Sequence, residues 1–169
     1  MKKESPMETL WAPWRMEYIL SAKEENQQGC LFCNLYSQDN DKKNLILYRG
    51  KLVFVIMNRF PYNNGHLMVV PYKHTGNLQE IEPEENQELM ETVQLSCRAL
   101  DAAMQPQGYN IGINLGKVGG AGVADHLHIH IVPRWNGDTN FMPVIGNTKV
   151  ISEALDRTYQ KLLEHFQQK

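Results

Sequence analysis

The chain has 169 residues, enough for one compact domain with a hydrophobic core. Its formal net charge of −2 disfavours a protein that binds duplex nucleic acid. No apolar run approaches the roughly 20 residues that cross a bilayer, and the basic start is not followed by the apolar segment of a signal peptide. Three cysteines, two of them in a C-x-x-C, are typical of a reducing compartment. We therefore expect a cytoplasmic protein without a membrane partner.

An N-terminal segment, residues 1–29, mixes aromatic with charged residues, and Pro13 interrupts any early helix. We expect this segment to pack on a single domain that spans residues 30–169. A polar stretch at 34–43, NLYSQDNDKK, has the composition of a loop. The strands of the domain are expected to follow this loop.

Five short segments are rich in β-branched and aliphatic residues, which predicts strands. Gly50 and Lys51 separate the first two, as expected for a hairpin turn. The segments are 44–50, 52–58, 66–72, 109–116 and 126–133.

Two helices are predicted from a change of hydrophobic period. Between residues 82 and 104, apolar side chains recur at helical spacing, and Pro83 suits the first turn. The tail, residues 151–168, has the pattern of a second amphipathic helix. Strands paired through hairpins and interrupted by one long helix predict an α+β fold, with an antiparallel sheet of about five strands and a C-terminal helix.

Three histidines occupy alternate positions in DHLHIHIVPRW, residues 125–135. Because alternate side chains of a strand share a face, His126, His128 and His130 would lie together, about 6.6 Å from neighbour to neighbour. A neutral imidazole held in one tautomer can attack phosphorus and form a phosphoramidate that water or another acceptor then opens. A histidine-rich strand edge or a metal cluster is the alternative.

A glycine-rich loop, GKVGGAG at 116–122, comes directly before these histidines. Glycines tolerate the backbone conformations that an anion-binding nest of N–H groups requires. Taken alone, the glycines fit a plain turn equally well. Beside three imidazoles they predict a phosphate site next to a nucleophile.

Cys30 and Cys33 have the spacing of one half of a zinc site. The chain has no second cysteine pair, so histidines would have to complete a tetrahedron, and His74 and His126 are the candidates. Four protein ligands would make the zinc structural, since a catalytic zinc keeps an open position. The alternative is a pair of partly buried thiols without a metal.

The motif HLHIHIV resembles the signature of the histidine triad superfamily of nucleotide hydrolases and transferases. NRFPYNNGHLMVVPYKH and NLGKVGGAG resemble its flanking segments, and the similarity extends over about residues 30 to 135. Within the superfamily, WAPWR, CLFC and PRWNGDTNF look most like the bacterial diadenosine tetraphosphate phosphorylases, and the fragile-histidine-triad branch is also similar. The resemblance implies a histidine-triad fold and a homodimer that shares a continuous sheet.

The resemblance also implies a role for individual residues. His128 matches the family's nucleophile, His130 the last triad histidine, which helps the leaving group, and His66 an upstream histidine of the same network. Asn58 matches an asparagine near the nucleotide's ribose, although read alone it is a turn residue. Asn114 takes the place of an amide that contacts phosphate.

Two further matches concern the loop and the cysteines. The loop before His126 is one residue longer than in the fragile-histidine branch, and Gly122 replaces a glutamine or serine. Phosphate contacts from there are therefore expected from backbone N–H groups, at Gly120, Ala121 and Gly122. In some superfamily members and in the related galactose-1-phosphate uridylyltransferases, two cysteines and two histidines at matching positions bind structural zinc. The resemblance thus gives Cys30, Cys33, His74 and His126 as zinc ligands.

Together these features predict an enzyme that cleaves adenosine polyphosphates through an adenylyl-His128 intermediate, without a metal in the chemistry. The expected reaction is phosphorolysis of diadenosine tetraphosphate to ATP and ADP, with inorganic phosphate as the acceptor. Hydrolysis of diadenosine triphosphate, adenosine phosphosulfate or adenosine phosphoramidate is the alternative within the class. A nucleotide-binding sensor with little turnover is the alternative outside it.

Overall fold

The computed structural model describes residues 29–139 and 153–167. Two short helices come first, α1 (Leu31–Tyr36) and α2 (Asp41–Asn44), and are followed by three strands, the long helix and two further strands. A short 3-10 helix, Leu78–Glu80, precedes the long helix. The remaining elements are β1 (Ile46–Arg49), β2 (Val53–Met57), β3 (Leu67–Pro71), α3 (Pro83–Met104), β4 (Gly108–Ile113), β5 (Ile129–Arg134) and α4 (Leu155–Gln167).

The five strands form one antiparallel sheet in the order β1-β2-β3-β5-β4. The histidine strand β5 therefore lies between β3 and β4, with His130 opposite Met68 on one side and Gly112 on the other. The long helix packs across β2, β3 and β5, and α4 packs against α3 and β1. The predicted α+β fold with five antiparallel strands, a long helix and a C-terminal helix is confirmed.

The core lies on both faces of the central strands. Every residue of β2 and β3 is buried, which explains why these segments are continuous apolar runs and do not alternate with polar residues. Tyr36 of α1 packs on Phe54 with ring centroids 5.6 Å apart, and Tyr72 stacks on Phe54 at 5.4 Å. The small helix α1 thus covers part of the sheet beside the histidines.

The loop predicted at 34–43 is wrong, because α1 and α2 occupy most of it. The polar side chains there serve as caps and anchors. The Asn40 side chain accepts a hydrogen bond from the Lys43 N–H, and Asn44 donates to the Leu35 carbonyl. Composition does not separate capping residues from loop residues.

The histidine strand begins later than the sequence predicts. Strand β5 begins at Ile129, so His126 and His128 precede the regular ladder. The Leu127 N–H between them donates to the Thr75 carbonyl at 2.7 Å.

The predicted packing of the N-terminal segment concerns residues 1–28, which lie outside the described residues. Among the described helices, none is both long and apolar enough to cross a membrane.

Candidate active site and metal centre

His128 is held in one orientation by its neighbour in sequence. Its Nδ1 lies 2.9 Å from the carbonyl oxygen of His126, and because a carbonyl only accepts, Nδ1 carries the proton. The Nε2 lone pair of the neutral ring is then available as a nucleophile. Burial lowers the pKa of His128, against the opposing effect of this hydrogen bond, so the ring stays neutral near pH 7.

His66 and His130 form a second, directly hydrogen-bonded pair. Nε2 of His66 lies 2.9 Å from Nδ1 of His130, and the backbone N–H of Tyr62 donates to Nδ1 of His66 at 3.0 Å. The rings of His128 and His130 are 4.7 Å apart, so all three imidazoles meet at one place. Burial, and secondarily the nearby His128, lower the pKa of His130 to about 4.

Asn58 closes β2 beside this pair. Its Oδ1 accepts from the Phe60 N–H at 2.9 Å, and its Nδ2 lies 3.4 Å from Nδ1 of His66. The residue is thus a turn residue in this conformation and also a neighbour of the histidine pair.

The sheet register brings the glycine loop to the histidines. Ile113 pairs with Ile129, so Asn114, the next residue along, arrives level with His128. The Asn114 amide lies 3.5 Å from the carbonyl of Gly120, whose φ of +90° is in the region that glycine favours.

The N–H groups of the loop are less available than the sequence suggests. The Gly120 N–H donates to the Lys117 carbonyl at 3.1 Å, and the Ala121 N–H donates to the Gly116 carbonyl at 3.2 Å. A phosphate nest that used both groups would require this turn to open. Gly122, the third position predicted from the sequence, is exposed.

Four side chains that can bind a metal lie together, those of Cys30, Cys33, His74 and His126. The first and last of them are 96 positions apart in the sequence. Nδ1 of His126 lies 3.2 Å from Sγ of Cys30, 3.7 Å from Sγ of Cys33 and 3.3 Å from Nδ1 of His74. Sγ of Cys33 is 3.5 Å from Nδ1 of His74. All four atoms lie within 4.8 Å of one another.

This donor set fits a tetrahedral zinc ion. Zn–S bonds of about 2.3 Å and Zn–N bonds of about 2.0–2.1 Å place neighbouring ligand atoms about 3.3–3.8 Å apart. Nε2 of His126 donates to the Pro71 carbonyl at 2.8 Å, which leaves the Nδ1 lone pair turned toward the other ligands. Burial raises the pKa of the Cys30 thiol to about 11, so a bound cation would have to displace its proton.

Two residues of the site were missed by the sequence reasoning. Phe32, only 2% exposed, lies inside the C-x-x-C and packs on His126 at 5.4 Å and on His128 at 5.1 Å between ring centroids. Tyr62 lies over the other pair, 4.6 Å from the His66 ring and 5.7 Å from the His130 ring. Neither residue can be recognised as part of the site from the sequence, because an aromatic residue beside a turn or a cysteine is common in protein cores.

The segment after β5 is held by an ion pair. Arg134 contacts Asp138 at 2.6 Å and holds the pKa of that carboxyl at about 2, mainly through this hydrogen bond. Asp138 also accepts from the Asn63 side chain at 2.8 Å, which ties the segment to the turn before His66. These contacts give the segment a structural role at this edge of the site.

The comparisons with known proteins agree with this architecture. The HIT domain family matches residues 39–137. The chain is 40% identical over 161 residues to AP-4-A phosphorylase of Mycobacterium tuberculosis, covering 92% of this chain and 83% of that protein.

Two solved structures share the fold. One is a Zn-bound histidine triad family protein from Mycobacterium smegmatis, with a TM-score of 0.67, 28% identity and coverage of 83% of this chain and 94% of that one. The other is a hypothetical histidine triad nucleotide-binding protein from Sulfolobus tokodaii, with a TM-score of 0.66, 26% identity and coverage of 81% and 91%. The chain belongs to the HIT family.

Proposed function

We propose that this protein cleaves adenosine polyphosphates through His128, and that its reaction is the phosphorolysis of diadenosine tetraphosphate to ATP and ADP. The observation that carries the proposal is the neutral His128 ring, whose Nδ1–H is bound to a carbonyl and whose Nε2 is therefore free of a proton. The likeness to a mycobacterial AP-4-A phosphorylase along most of the chain favours this substrate over the triphosphate, the phosphosulfate and the phosphoramidate.

The reaction has two displacements at one phosphorus atom. Nε2 of His128 attacks the α-phosphorus of one adenosine, the bond from that phosphorus to the bridging oxygen breaks, and ATP leaves with the electron pair. The positive charge on the adenylylated ring is stabilised by the Nδ1–H bond to the His126 carbonyl. An oxygen of inorganic phosphate then attacks the same phosphorus, which returns the electron pair to Nε2 and releases ADP.

The neighbouring residues bind and orient the substrate. His130, 4.7 Å from the nucleophile between ring centroids, contacts the bridging oxygen, and His66 orients His130. Asn114 binds the phosphate oxygens, and so do the N–H groups of Gly120, Ala121 and Gly122 once the turn that holds the first two has opened. Asn58, beside His66, contacts the ribose.

The four-residue cluster is proposed to hold one structural zinc ion. The inter-ligand distances and the tautomer of His126 support zinc over free thiols, and the Zn-bound relative is independent support for the same metal. When bound, the ion would cross-link α1 to the segment before β5. It would take no part in the reaction.

A homodimer is proposed through the free edge of β4. Among the described residues, β4 pairs only with β5, and its middle residues are exposed, including Ile111 at 48%. A second copy would extend the sheet across this edge and cover that side chain. We further expect a cytoplasmic protein that binds no duplex nucleic acid.

Product analysis tests the reaction directly. Diadenosine tetraphosphate is incubated with the purified protein, with and without inorganic phosphate. ATP and ADP that form only with phosphate support the phosphorylase. AMP and ATP without phosphate would make the protein a hydrolase, and intact substrate in both samples would contradict the proposed function.

The His128→Asn variant separates an enzyme from a nucleotide sensor. The amide cannot form the adenylyl intermediate, so we expect turnover to disappear while the Kd for AMP, measured by calorimetry, changes less than about threefold. Turnover that survives the substitution would refute the proposed nucleophile. Equal, very low turnover in both proteins with tight AMP binding would favour the sensor.

A further inference from the structure

The hydrogen-bonded ladder between β3 and β5 is interrupted at Pro71. The register of the two strands, continued by two residues beyond its last pair, places Leu127 opposite Pro71. The Tyr72 N–H donates to the Leu52 carbonyl, toward β2, so the backbone groups of Pro71, one residue earlier, face β5. Proline has no N–H, and the bond that this pair would contribute to the ladder therefore cannot form.

Two other groups replace the bonds of this pair. The Pro71 carbonyl accepts from Nε2 of His126 at 2.8 Å. The Leu127 N–H donates to the carbonyl of Thr75, in the turn after β3, at 2.7 Å. Leu127 and Thr75 are both buried, so water does not offer the Leu127 N–H another partner. The turn after β3 thus holds the histidine segment where the ladder cannot.

The Leu127 N–H and the His126 carbonyl belong to the same peptide group. This peptide is trans and planar, so its N–H and C=O point in opposite directions. The bond to Thr75 therefore turns the His126 carbonyl to the other side, where it accepts from Nδ1 of His128 at 2.9 Å. Hydrogen bonds in such a chain polarise one another, which makes this carbonyl a stronger acceptor.

Thr75 is itself held by the turn that it begins. Its hydroxyl donates to the Glu80 carboxylate at 2.6 Å and accepts from the Asn77 N–H at 3.0 Å. The bond from Thr75 lowers the pKa of Glu80, so the carboxylate is charged and is a strong acceptor. The Asn77 side chain donates to the same carboxylate at 3.3 Å. The orientation of Thr75 therefore depends on its side chain as well as on its backbone.

The turn also lies directly against the segment before His126. A Cβ added to Gly76 would collide with the carbonyl oxygen of Ala124 and would lie 3.1 Å from Cα of Asp125. The backbones of the turn and of the histidine segment are thus in contact. A displacement of the turn is therefore transmitted to His126 and Leu127.

We propose that Thr75 is a positioning residue for the nucleophile. Through the peptide between His126 and Leu127, its carbonyl keeps the proton of His128 on Nδ1. The Glu80 carboxylate holds Thr75 in the orientation that this requires. This role rests on the proposed adenylyl transfer to His128. A chain of two hydrogen bonds then joins the turn after β3 to the ring that attacks phosphorus.

A rotation of this peptide would remove the acceptor from Nδ1 of His128. The neutral ring could then carry its proton on Nε2, which leaves that nitrogen without a lone pair for attack. Only the fraction of molecules with the proton on Nδ1 would react. The substitution of Thr75 should therefore lower kcat and leave KM nearly unchanged.

Two variants of Thr75 test the positioning without any turnover. Thr75→Val keeps the branched shape and removes the hydroxyl, whereas Thr75→Ser keeps the hydroxyl. In the wild type we expect slow hydrogen exchange of the Leu127 amide and a 15N imidazole spectrum of His128 with the proton on Nδ1. In Thr75→Val the exchange should be at least about tenfold faster, and the tautomer protonated on Nε2 should appear. Thr75→Ser should match the wild type in both measurements.

Kinetics with diadenosine tetraphosphate test the consequence. Thr75→Val should lower kcat by about tenfold and change KM by less than about twofold. Thr92→Val is the matched control, because Thr92 of α3 is also a buried threonine. Its kcat, its KM and the tautomer of His128 should be as in the wild type.

A second pair of variants acts from the surface of the protein. Glu80 is exposed, so Glu80→Ala is expected to fold even if Thr75→Val does not. It removes the acceptor of the Thr75 hydroxyl and should change the Leu127 exchange and the His128 tautomer in the same direction. Glu80→Gln keeps an acceptor and should match the wild type.

The outcomes distinguish the role of Thr75 from the proposed function. Unchanged Leu127 exchange and an unchanged His128 tautomer in Thr75→Val and Glu80→Ala would overturn the role and leave adenylyl transfer in place. A fall in kcat without a change of tautomer would also overturn it, and so would a tautomer change that appears only together with a lower zinc content. A wild type that does not cleave the dinucleotide would overturn the proposed function, while exchange and tautomer still decide the role of Thr75.

Discussion

The buried His130 should make the protein less stable in acid by an amount that follows from its pKa. The ordinary histidine pKa is 6.5, and the folded protein lowers that of His130 to about 4. Between these two values the unfolded chain binds a proton that the folded chain does not, so folding stability is complete above pH 6.5 and declines as the pH falls toward 4. At pH 5 the loss amounts to about 2 kcal/mol, and at pH 4 to about 3 kcal/mol.

The His130→Asn variant isolates this contribution. Its amide oxygen can still accept from Nε2 of His66, but the side chain does not titrate. Urea unfolding at pH 7 and pH 5 gives the free energy of unfolding of both proteins, and the difference between pH values should be about 2 kcal/mol larger in the wild type. The carboxylates and the cysteine site contribute equally to the pH dependence of both proteins, so their contributions cancel when the two proteins are compared. Equal pH dependence in the two proteins would refute the assigned burial of His130.

Three further substitutions test separate parts of the site. Cys30→Ser should lower the zinc content from one ion per chain to well below that, as measured by elemental analysis; a wild type purified without zinc would contradict the metal site. Phe32→Ala should reduce the free energy of unfolding by about 3–5 kcal/mol, because the ring is buried against two histidines; a loss below 1 kcal/mol would contradict that packing. Gly119→Ala places a Cβ into the Leu115 carbonyl, so the loop must shift and the KM for the dinucleotide should rise about tenfold, equivalent to about 1.4 kcal/mol; an unchanged KM would show that the loop does not touch the substrate.

Those parts of the fold that depend on signals between neighbouring residues could be predicted from the sequence. Strand β2 is a run of five apolar residues next to a hairpin glycine, and the helix Pro83–Met104 begins with a proline and acidic residues in its first turn. The Glu85 carboxylate accepts the Glu82 N–H, which closes the start of that helix. Each of these signals acts over a few residues, so the strand and the helix can be predicted without knowledge of the tertiary structure.

The site could not be predicted from such local signals alone. The alternation of His126, His128 and His130 is local, but the partner of each ring is not. His66 lies 64 residues before His130, and Cys30 lies 96 residues before His126. The pairing of these residues came from the family resemblance, and the geometry between them comes only from the sheet register that places β5 beside β3.

The loop shows why backbone groups are the hardest part of a site to predict. Glycines at 119, 120 and 122 predict that unusual dihedral angles are possible, yet they do not determine which N–H groups remain free. In the structure the Gly120 and Ala121 N–H groups are used by the loop's own turn. The orientation of the peptide between His126 and Leu127 has the same origin, because it depends on the carbonyl of Thr75, a group that every residue possesses.

His126 connects the two halves of the site through three different atoms. Its Nδ1 faces the cysteines and His74, its Nε2 donates to the Pro71 carbonyl at the end of β3, and its own carbonyl accepts from Nδ1 of His128. A shift of this residue would therefore alter the geometry of the cysteine–histidine cluster and the tautomer of His128 together. The regular strand begins only at Ile129, so the position of His126 is fixed by these bonds and not by the sheet ladder. The cluster of Cys30, Cys33, His74 and His126, through the carbonyl of His126, thereby helps to keep a proton on Nδ1 of His128 and a lone pair on its Nε2.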